Sequence, residues 1–361
     1  MFSNLFLKSF RILLLPFALM YWLIISLRNW MYNKKILPSV SFGLPVICVG
    51  NLSVGGTGKS PMVEYLIRLL QAEFKIATLS RGYKRRTRGY VLADNNSTAL
   101  DIGDEPQQFH EKFPSVPVTV GEKRVEAIPQ LLHDHPETEC IILDDAFQHR
   151  AVVAGLNILL TDYNNLFTRD FYLPTGDLRD LKSGYKMADL IVVTKCDPKI
   201  SEQEKLTITE EISPLPQQHV FFTANSYSHP YHILDKHDRV RLSTPQDILL
   251  ITGIANPAPL KHLLELHAAS YNMMHFPDHH IFTIDDWRDI QKKFAQLQGA
   301  HKIILTTEKD AVRLSKFSNE MKGLPLYVIP LEHFFLFEEE NKFQQLVLNF
   351  IKNFKKPVNL K

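Results

Sequence analysis

One run of residues limits the fold more than any other: PVICVGNLSVGGTGKSPMVEYLIRLLQ. Val46 to Val49 read as a buried strand, Gly50 to Gly58 as a glycine-rich turn, and Ser60 to Leu70 as an amphipathic helix. Strand, glycine loop and helix in that order make a phosphate cradle. Backbone N–H groups of Ser53, Val54, Gly55, Gly56, Thr57 and Gly58 line it, Lys59 reaches the outer phosphates, and the Ser60 hydroxyl is placed to ligate Mg2+. The helix N-terminus adds a positive field. The first glycine of the general G-x-x-x-x-G-K-[ST] pattern is replaced by Ser53, and a merely tight glycine turn is the rival reading.

A nucleotide loop needs an acidic partner for magnesium, usually at the end of an apolar strand. Cys140-Ile141-Ile142-Leu143-Asp144-Asp145 supplies one, with Asp144 the natural Mg2+ ligand and Asp145 a second candidate. Adjacent aspartates after a strand also serve as helix caps.

With 361 residues, 45% hydrophobic and 22% charged, the chain is long enough for one large α/β domain with an appendage, or for two domains. Its net charge of +2 is too balanced for a general nucleic-acid binder. Cys48, Cys140 and Cys196 lie far apart and match no metal or disulfide spacing, which fits a reducing compartment.

The N-terminus departs from this balance. Lys8, Arg11, Arg28, Lys34 and Lys35 stand among residues 1 to 38 with no acid, and the sixteen residues Ile12 to Leu27 are uncharged. Sixteen residues fall short of the roughly 20 that span a bilayer core comfortably. No small-residue cleavage site follows, which argues against a signal peptide. Tyr21, Trp22, Trp30 and Tyr32 suit a headgroup belt, and the flanking cations suit an anionic inner leaflet. The segment reads as a membrane-docking helix, with a helix buried against the core as the alternative.

Beyond the loop, the runs SRGY (Ser80 to Tyr83), GDEP (Gly103 to Pro106), LDDAFQH (Leu143 to His149), LPTGDLRD (Leu173 to Asp180), FPDHH (Phe276 to His280) and TTEKDAVR (Thr306 to Arg313) follow in order. Together with GNLSVGGTGKSP they closely resemble the tetraacyldisaccharide 4′-kinase family. That family also lacks the first loop glycine, but commonly has Thr where Ser60 stands and Glu where Asp180 stands. The resemblance implies phosphoryl transfer from ATP to the 4′-hydroxyl of a tetraacylated glucosamine disaccharide 1-phosphate, giving lipid IVA. It places the enzyme on the cytoplasmic face of the bacterial inner membrane; the balanced charge argues against nucleic acid, and no protein partner is inferred.

The resemblance and the residues themselves together suggest roles. Asp104 is the general base, against a plain reading as a helix N-cap. Glu105 orients it or contacts a magnesium-bound water. His279 supports Asp104, which requires the C-terminal part to fold back over the phosphate loop. Arg81 and Tyr83 contact substrate or phosphate, while Lys84 to Arg88 face headgroups or form a solvated loop. Arg124 reaches a phosphate or makes a surface ion pair. Gln148 and His149 match active-site positions, and Arg179 neutralises transition-state charge or anchors its loop. Thr194-Lys195-Cys196-Asp197 is similar to a guanine-reading element of GTPases, but Thr194 in place of Asn fits a looser adenine pocket. Thr306 to Asp310 read as a nucleotide-side edge or a capped helix start.

Strand-like runs at 46–49, 76–79, 140–143, 156–160 and 190–193 alternate with helical patterns, predicting a P-loop NTPase-like α/β fold with a mostly parallel sheet flanked by helices. The expected organisation is a membrane-associated helix (1–38), a kinase core (39–212), a linker (213–247) and a smaller C-terminal α/β lobe (248–361) closing over the site. A membrane-associated P-loop switch or assembly ATPase is the competing class; it needs neither a base for a hydroxyl acceptor nor a glycolipid.

Overall fold

A computed structural model describes residues 11–242 and 246–355, so Lys8 and the extreme C-terminus lie outside the described residues. Two sheets organise the chain. The larger has the order β15-β8-β7-β6-β1-β5-β2-β4-β3. Its strands are β1 (Val46–Asn51), β2 (Ile76–Ser80), β3 (Val91–Leu92), β4 (Val118–Val120), β5 (Cys140–Asp144), β6 (Leu156–Asp162), β7 (Leu190–Thr194), β8 (His219–Tyr227) and β15 (Leu331–Phe335). All neighbours pair in parallel except β3 with β4 and β15 with β8 at the two edges.

The reason is legible in the side chains. Strands of a parallel sheet are buried on both faces, so their runs are continuously apolar rather than alternating polar and apolar. Cys48, Leu79, Ile141, Leu143 and Ile191 enter one core with Ile128 and Leu131 of the helix Arg124–Asp134. Val49, Ile142, Ile158 and Val192 enter the other, with Met62, Leu66 and Leu70 of Lys59–Leu70.

The second sheet has the order β10-β9-β14-β13-β11-β12, built from β9 (Tyr231–His232), β10 (Asp235–Arg239), β11 (Asp247–Thr252), β12 (Ser270–His275), β13 (Lys302–Thr307) and β14 (Leu326–Ile329). The stretch read as a linker therefore holds strands of both sheets: β8 belongs to the large sheet, and β9 and β10 to the small one. Phe221 and Phe222 of β8 are fully buried, and that burial overrides the polar composition around them. The C-terminal residues also divide. β15 and the helix Glu340–Lys352 return to the large sheet, where Phe343, Val347 and Ile351 fill the core beside the phosphate-loop helix.

The helices in chain order are α1 (Leu15–Asn33), α2 (Lys59–Leu70), α3 (Ala99–Ile102), α4 (Asp104–Lys112), α5 (Arg124–Asp134), α6 (Glu202–Ile212), α7 (Ala258–His267), α8 (Ile284–Ala295), α9 (Glu308–Leu314) and α10 (Glu340–Lys352). On α1, Phe17, Met20, Leu23, Ile24 and Leu27 are exposed while Ala18, Ile25 and Asn29 are buried, so it does not serve as a core helix. No helix among the described residues is long and apolar enough to cross a membrane.

Candidate active site

The carboxyl ends of β1, β2, β5, β6 and β7 share one edge of the large sheet, the edge where open α/β folds bind ligands. Val49 of β1 is in register with Asp144 of β5, which sets the phosphate loop beside the aspartate pair. Gly58 enters α2 with φ of 85° and no side-chain cap, leaving the first-turn N–H groups of the helix open to an anion. Ser53 is buried and bridges Leu178, and Val54 donates its N–H to Asp177 O at 2.7 Å. Val54, Gly55 and Gly56 are exposed, while Thr57 is buried. Thr194 Oγ1 donates to Thr57 O at 2.9 Å, and Lys195 Nζ donates to Gly56 O and, at 2.7 Å, to Asp162 Oδ2. The Thr-Lys-Cys-Asp element thus braces the loop backbone.

Lys59 Nζ donates to Asn51 Oδ1 at 3.3 Å and lies 3.6 Å from Asp145 Oδ1. Arg179 grips both oxygens of Asp145, with Nη1 to Oδ2 at 3.1 Å, and its Nη2 also donates to Asn51 Oδ1. Burial opposes the charged form of Asp145, but Lys59 and Arg179 outweigh it and hold the carboxyl at about 2. Asp144 is the opposite case. Burial, with repulsion from Asp145 and Glu105, pushes it up to about 7 despite Lys59 and the Ser80 hydroxyl, whose Oγ donates to Oδ2 at 3.2 Å. Two adjacent aspartates are thus driven apart in acidity by their surroundings.

Arg124 is no surface ion pair: it is 2% exposed at the start of α5, donating to Gly121 O and, at 3.3 Å, to Asp144 O. Gln148 Nε2 donates to Asn51 O at 2.6 Å. His149 is depressed to about 4 by burial and the nearby Arg124 and Arg81. Asp180 points away from this cluster, accepting from Asn29 Nδ2 of α1 at 2.7 Å.

The second cluster joins the two sheets. Gly103, not Asp104, is the N-cap of α4, so the Asp104 side chain is free for other work. It is 3% exposed, and Oδ2 lies 2.7 Å from His279 Nδ1. Arg313 of α9 donates to both Asp104 oxygens, with Nε to Oδ1 at 2.6 Å. Burial works against the carboxylate, but His279 and Arg313 prevail and keep it below its ordinary value, hence ionised. The Tyr83 ring stands edge-on to His279 with centroids 5.7 Å apart, and Arg81 is exposed nearby in sequence. Glu105, partly buried, follows Asp104 and acts on Asp144 through its charge. Asp145, Lys195 and His279 all have positive φ, of 49°, 58° and 65°. Left-handed backbone is uncommon for such residues and concentrates at functional sites.

Four contributors escaped the sequence reading. Asn51 sits within the quoted loop motif but outside the glycine pattern. His333 of β15 is wholly buried under the loop, held neutral by burial at about 4, and pairs through Nε2 with Gly58 O at 2.9 Å. Lys309 and Arg313 lie in the TTEKDAVR motif, which reads as a nucleotide-side edge or a capped helix start with no role for either cation, and Thr307 does cap that helix.

A phosphate loop with its lysine, a strand-end aspartate pair, an arginine on that pair and a separate buried carboxylate define a P-loop phosphotransferase. The family model described as tetraacyldisaccharide-1-P 4′-kinase, LpxK, matches residues 10–352. A tetraacyldisaccharide 4′-kinase of Flavobacterium johnsoniae is 45% identical, covering 95% of this chain and 97% of its own. One from Bacteroides thetaiotaomicron is 43% identical over 94% and 93%. The crystal structure of LpxK from Aquifex aeolicus in complex with ATP superposes with a TM-score of 0.74 at 27% identity, covering 95% of this chain and 99% of that one. The chain belongs to the tetraacyldisaccharide 4′-kinase family and is an ATP-dependent kinase of lipid A biosynthesis.

Proposed function

We propose that the two clusters divide the phosphoryl transfer between them. Asp104 accepts the proton of the 4′-hydroxyl as its oxygen attacks the γ-phosphorus, the bond to the bridging oxygen breaks, and ADP leaves. Lys59 and Arg179 stabilise charge on the transferred group, and the open N–H groups at the start of α2 hold the phosphates. The observation that carries this division is the ionised, buried Asp104 held by His279 and Arg313 beside the other sheet, while Lys59, Asp145 and Arg179 pair with one another.

Oxygen donors suit Mg2+, which binds through one or two carboxylates and phosphate oxygens. Asp144, crowded by Asp145 and Glu105, and the Ser60 hydroxyl fit that requirement, while Asp145 is already neutralised by Arg179 and Lys59. When bound, the ion neutralises phosphate charge; Glu105 serves as a more distant acid. Arg81, Tyr83, Gln148 and His149 form the acceptor side, with Tyr83 exposed beside His279 and free to meet the sugar, while the buried Arg124 holds the Asp144 backbone instead of reaching a phosphate.

The exposed apolar face of α1, with Arg28 at its end, supports docking on an anionic leaflet at the cytoplasmic face of the inner membrane. Leu15, Ala18, Leu19, Trp22, Phe171 and Tyr172 line an apolar cavity of about 290 Å³ beside it, suited to acyl chains of the glycolipid.

The test is transfer of label from γ-labelled ATP to a tetraacylated disaccharide 1-phosphate in mixed micelles with Mg2+. Transfer that vanishes in Asp104→Ala while ATP still binds supports the division of labour. Loss of ATP binding in that variant refutes it. Leu23→Glu with Leu27→Glu should release the protein from anionic vesicles, and unchanged vesicle binding would end the membrane reading.

A further inference from the structure

The TTEKDAVR helix, α9, carries two cations that no step above uses. Lys309 and Arg313 are four residues apart, so they share one face of the helix, and both meet the Asp104–His279 pair. We infer that Arg313 and Lys309 are positioning residues for this pair: Arg313 fixes the Asp104 carboxylate and the His279 turn, and Lys309 fixes the imidazole tautomer. The inference rests on the reading of Asp104 as the base.

Three features support it. First, Arg313 makes a fork: Nε donates to Asp104 Oδ1 at 2.6 Å, Nη2 donates to Oδ2, and Nη1 donates to His280 O at 2.9 Å. One guanidinium therefore holds the carboxylate and the backbone beside His279, whose φ of 65° needs external support. Nη2 and His279 Nδ1, 3.1 Å apart, converge on the same oxygen. Lysine has no planar fork and cannot hold two oxygens in fixed geometry.

Second, Lys309 Nζ lies 3.4 Å from His279 Nε2 and donates to Asp278 Oδ1 at 2.8 Å. An ammonium has donors only, so Lys309 favours a lone pair on Nε2 and a proton on Nδ1 facing Asp104, against the pull of Asp278 Oδ2, 3.7 Å from Nε2. The opposite tautomer would set two lone pairs against each other at Nδ1 and Oδ2.

Third, α4 and α9 run antiparallel with an ion pair at each end. Asp104 meets Arg313 at one end; Lys112 meets Glu308 at the other, where Lys112 also bonds Glu64 of α2 at 2.6 Å. The helix that carries the base, the phosphate-loop helix and the helix that carries its holders are thereby tied together, so the carboxylate's placement depends on the small sheet.

The test compares steady-state kinetics of the full chain with Arg313→Ala, Arg313→Lys, Lys309→Met and Asp104→Asn. Arg313→Ala should lower kcat by about 100-fold, as expected for a displaced reactive group, with KM for ATP little changed. Added guanidinium ion should restore part of that rate, which it cannot do for a general loss of structure. Arg313→Lys should fall between wild type and Ala, and Lys309→Met should lower kcat by less than Arg313→Ala. Adding Arg313→Ala to inactive Asp104→Asn should cost nothing further. Wild-type kcat in Arg313→Ala beside an inactive Asp104→Asn overturns the positioning role while sparing the base. An active Asp104→Asn overturns the base assignment itself. A rise in KM for ATP at unchanged kcat also overturns the inference. If Arg313→Ala fails to fold, Arg313→Lys decides: wild-type kcat refutes the role, and reduced kcat with unchanged KM for ATP supports it.

Discussion

Asn29 and Asp180 meet in a buried hydrogen bond, Nδ2 to Oδ1 at 2.7 Å, that joins the N-terminal helix to the loop carrying Arg179. Tyr21 of the same helix donates to Arg179 O at 2.9 Å, and Arg28 donates to Gln148 O at 2.6 Å. The surface proposed to meet lipid is therefore wired to the arginine that grips Asp145. Asn29→Ala removes the amide donor to Asp180, a carboxylate 1% exposed, and leaves its Oδ1 with the Leu181 N–H at 2.7 Å. Losing one hydrogen bond to a buried charged acceptor costs about 1.5–3 kcal/mol. Urea unfolding should register a loss of that size, and kcat should fall with it because the Arg179 loop loosens. Unchanged unfolding would mean that water satisfies Asp180 in solution.

Lys59 is 17% exposed and faces Asn51 and Asp145 where the outer phosphates would sit. Lys59→Ala should reduce kcat by about 10²–10³-fold, the range for removing one preorganised charge-stabilising donor. The protein should stay folded, since no buried partner is orphaned: Asp145 keeps Arg179. Thermal unfolding alongside labelled transfer separates the two effects, and near-normal turnover would refute the loop assignment.

Gly58 and Gly55 make a matched pair of tests. Both have positive φ, 85° and 101°, but a Cβ on Gly58 would lie 2.7 Å from the His333 ring, whereas one on Gly55 meets nothing within 4 Å. Gly55→Ala should cost only the backbone penalty of about 1–2 kcal/mol. Gly58→Ala adds a collision with a fully buried ring and should also abolish ATP binding by displacing the helix N-terminus. Equal effects in calorimetry and nucleotide titration would remove His333 from the account.

Glu308 supplies the pH dependence. Burial and repulsion from Glu64 raise its carboxyl from 4.5 to about 7, against the pull of Lys112. Between those values the folded protein holds a proton that the unfolded chain has released, so stability falls as pH rises through that window. Glu308→Gln removes the titration while keeping an acceptor for Lys112. Its Tm should decline less than that of wild type between pH 4.5 and about 7; parallel declines would contradict the assignment.

How far the sequence carried depended on distance along the chain. The phosphate loop was readable because strand, glycines, lysine and helix are consecutive, and the Asp144–Asp145 pair because it ends an unbroken apolar strand. β8 was hidden: HVFFTANSY lies among prolines, histidines and serines, and only its place between β7 and β15 makes Phe221 and Phe222 core residues. Arg313 illustrates the limit more sharply, since it acts on Asp104 across 209 residues and no local pattern links them. His333 was equally hidden, because a histidine in a short edge strand carries no sign of the loop above it.

β8 and β15 are antiparallel neighbours, with Tyr227 opposite Leu331. The chain leaves the large sheet at one point and returns beside it, so everything between forms a detour whose two ends touch. A short turn from β8 to β15 would close the large sheet, including His333 and the helix that follows, without rerouting any other strand. The enzyme is in this sense a nucleotide-binding fold that itself carries Asp104, with the residues that hold Asp104 spliced into one hairpin, and the shortened chain would keep the phosphate cradle and Asp104 but lose His279, Lys309 and Arg313 at a single cut.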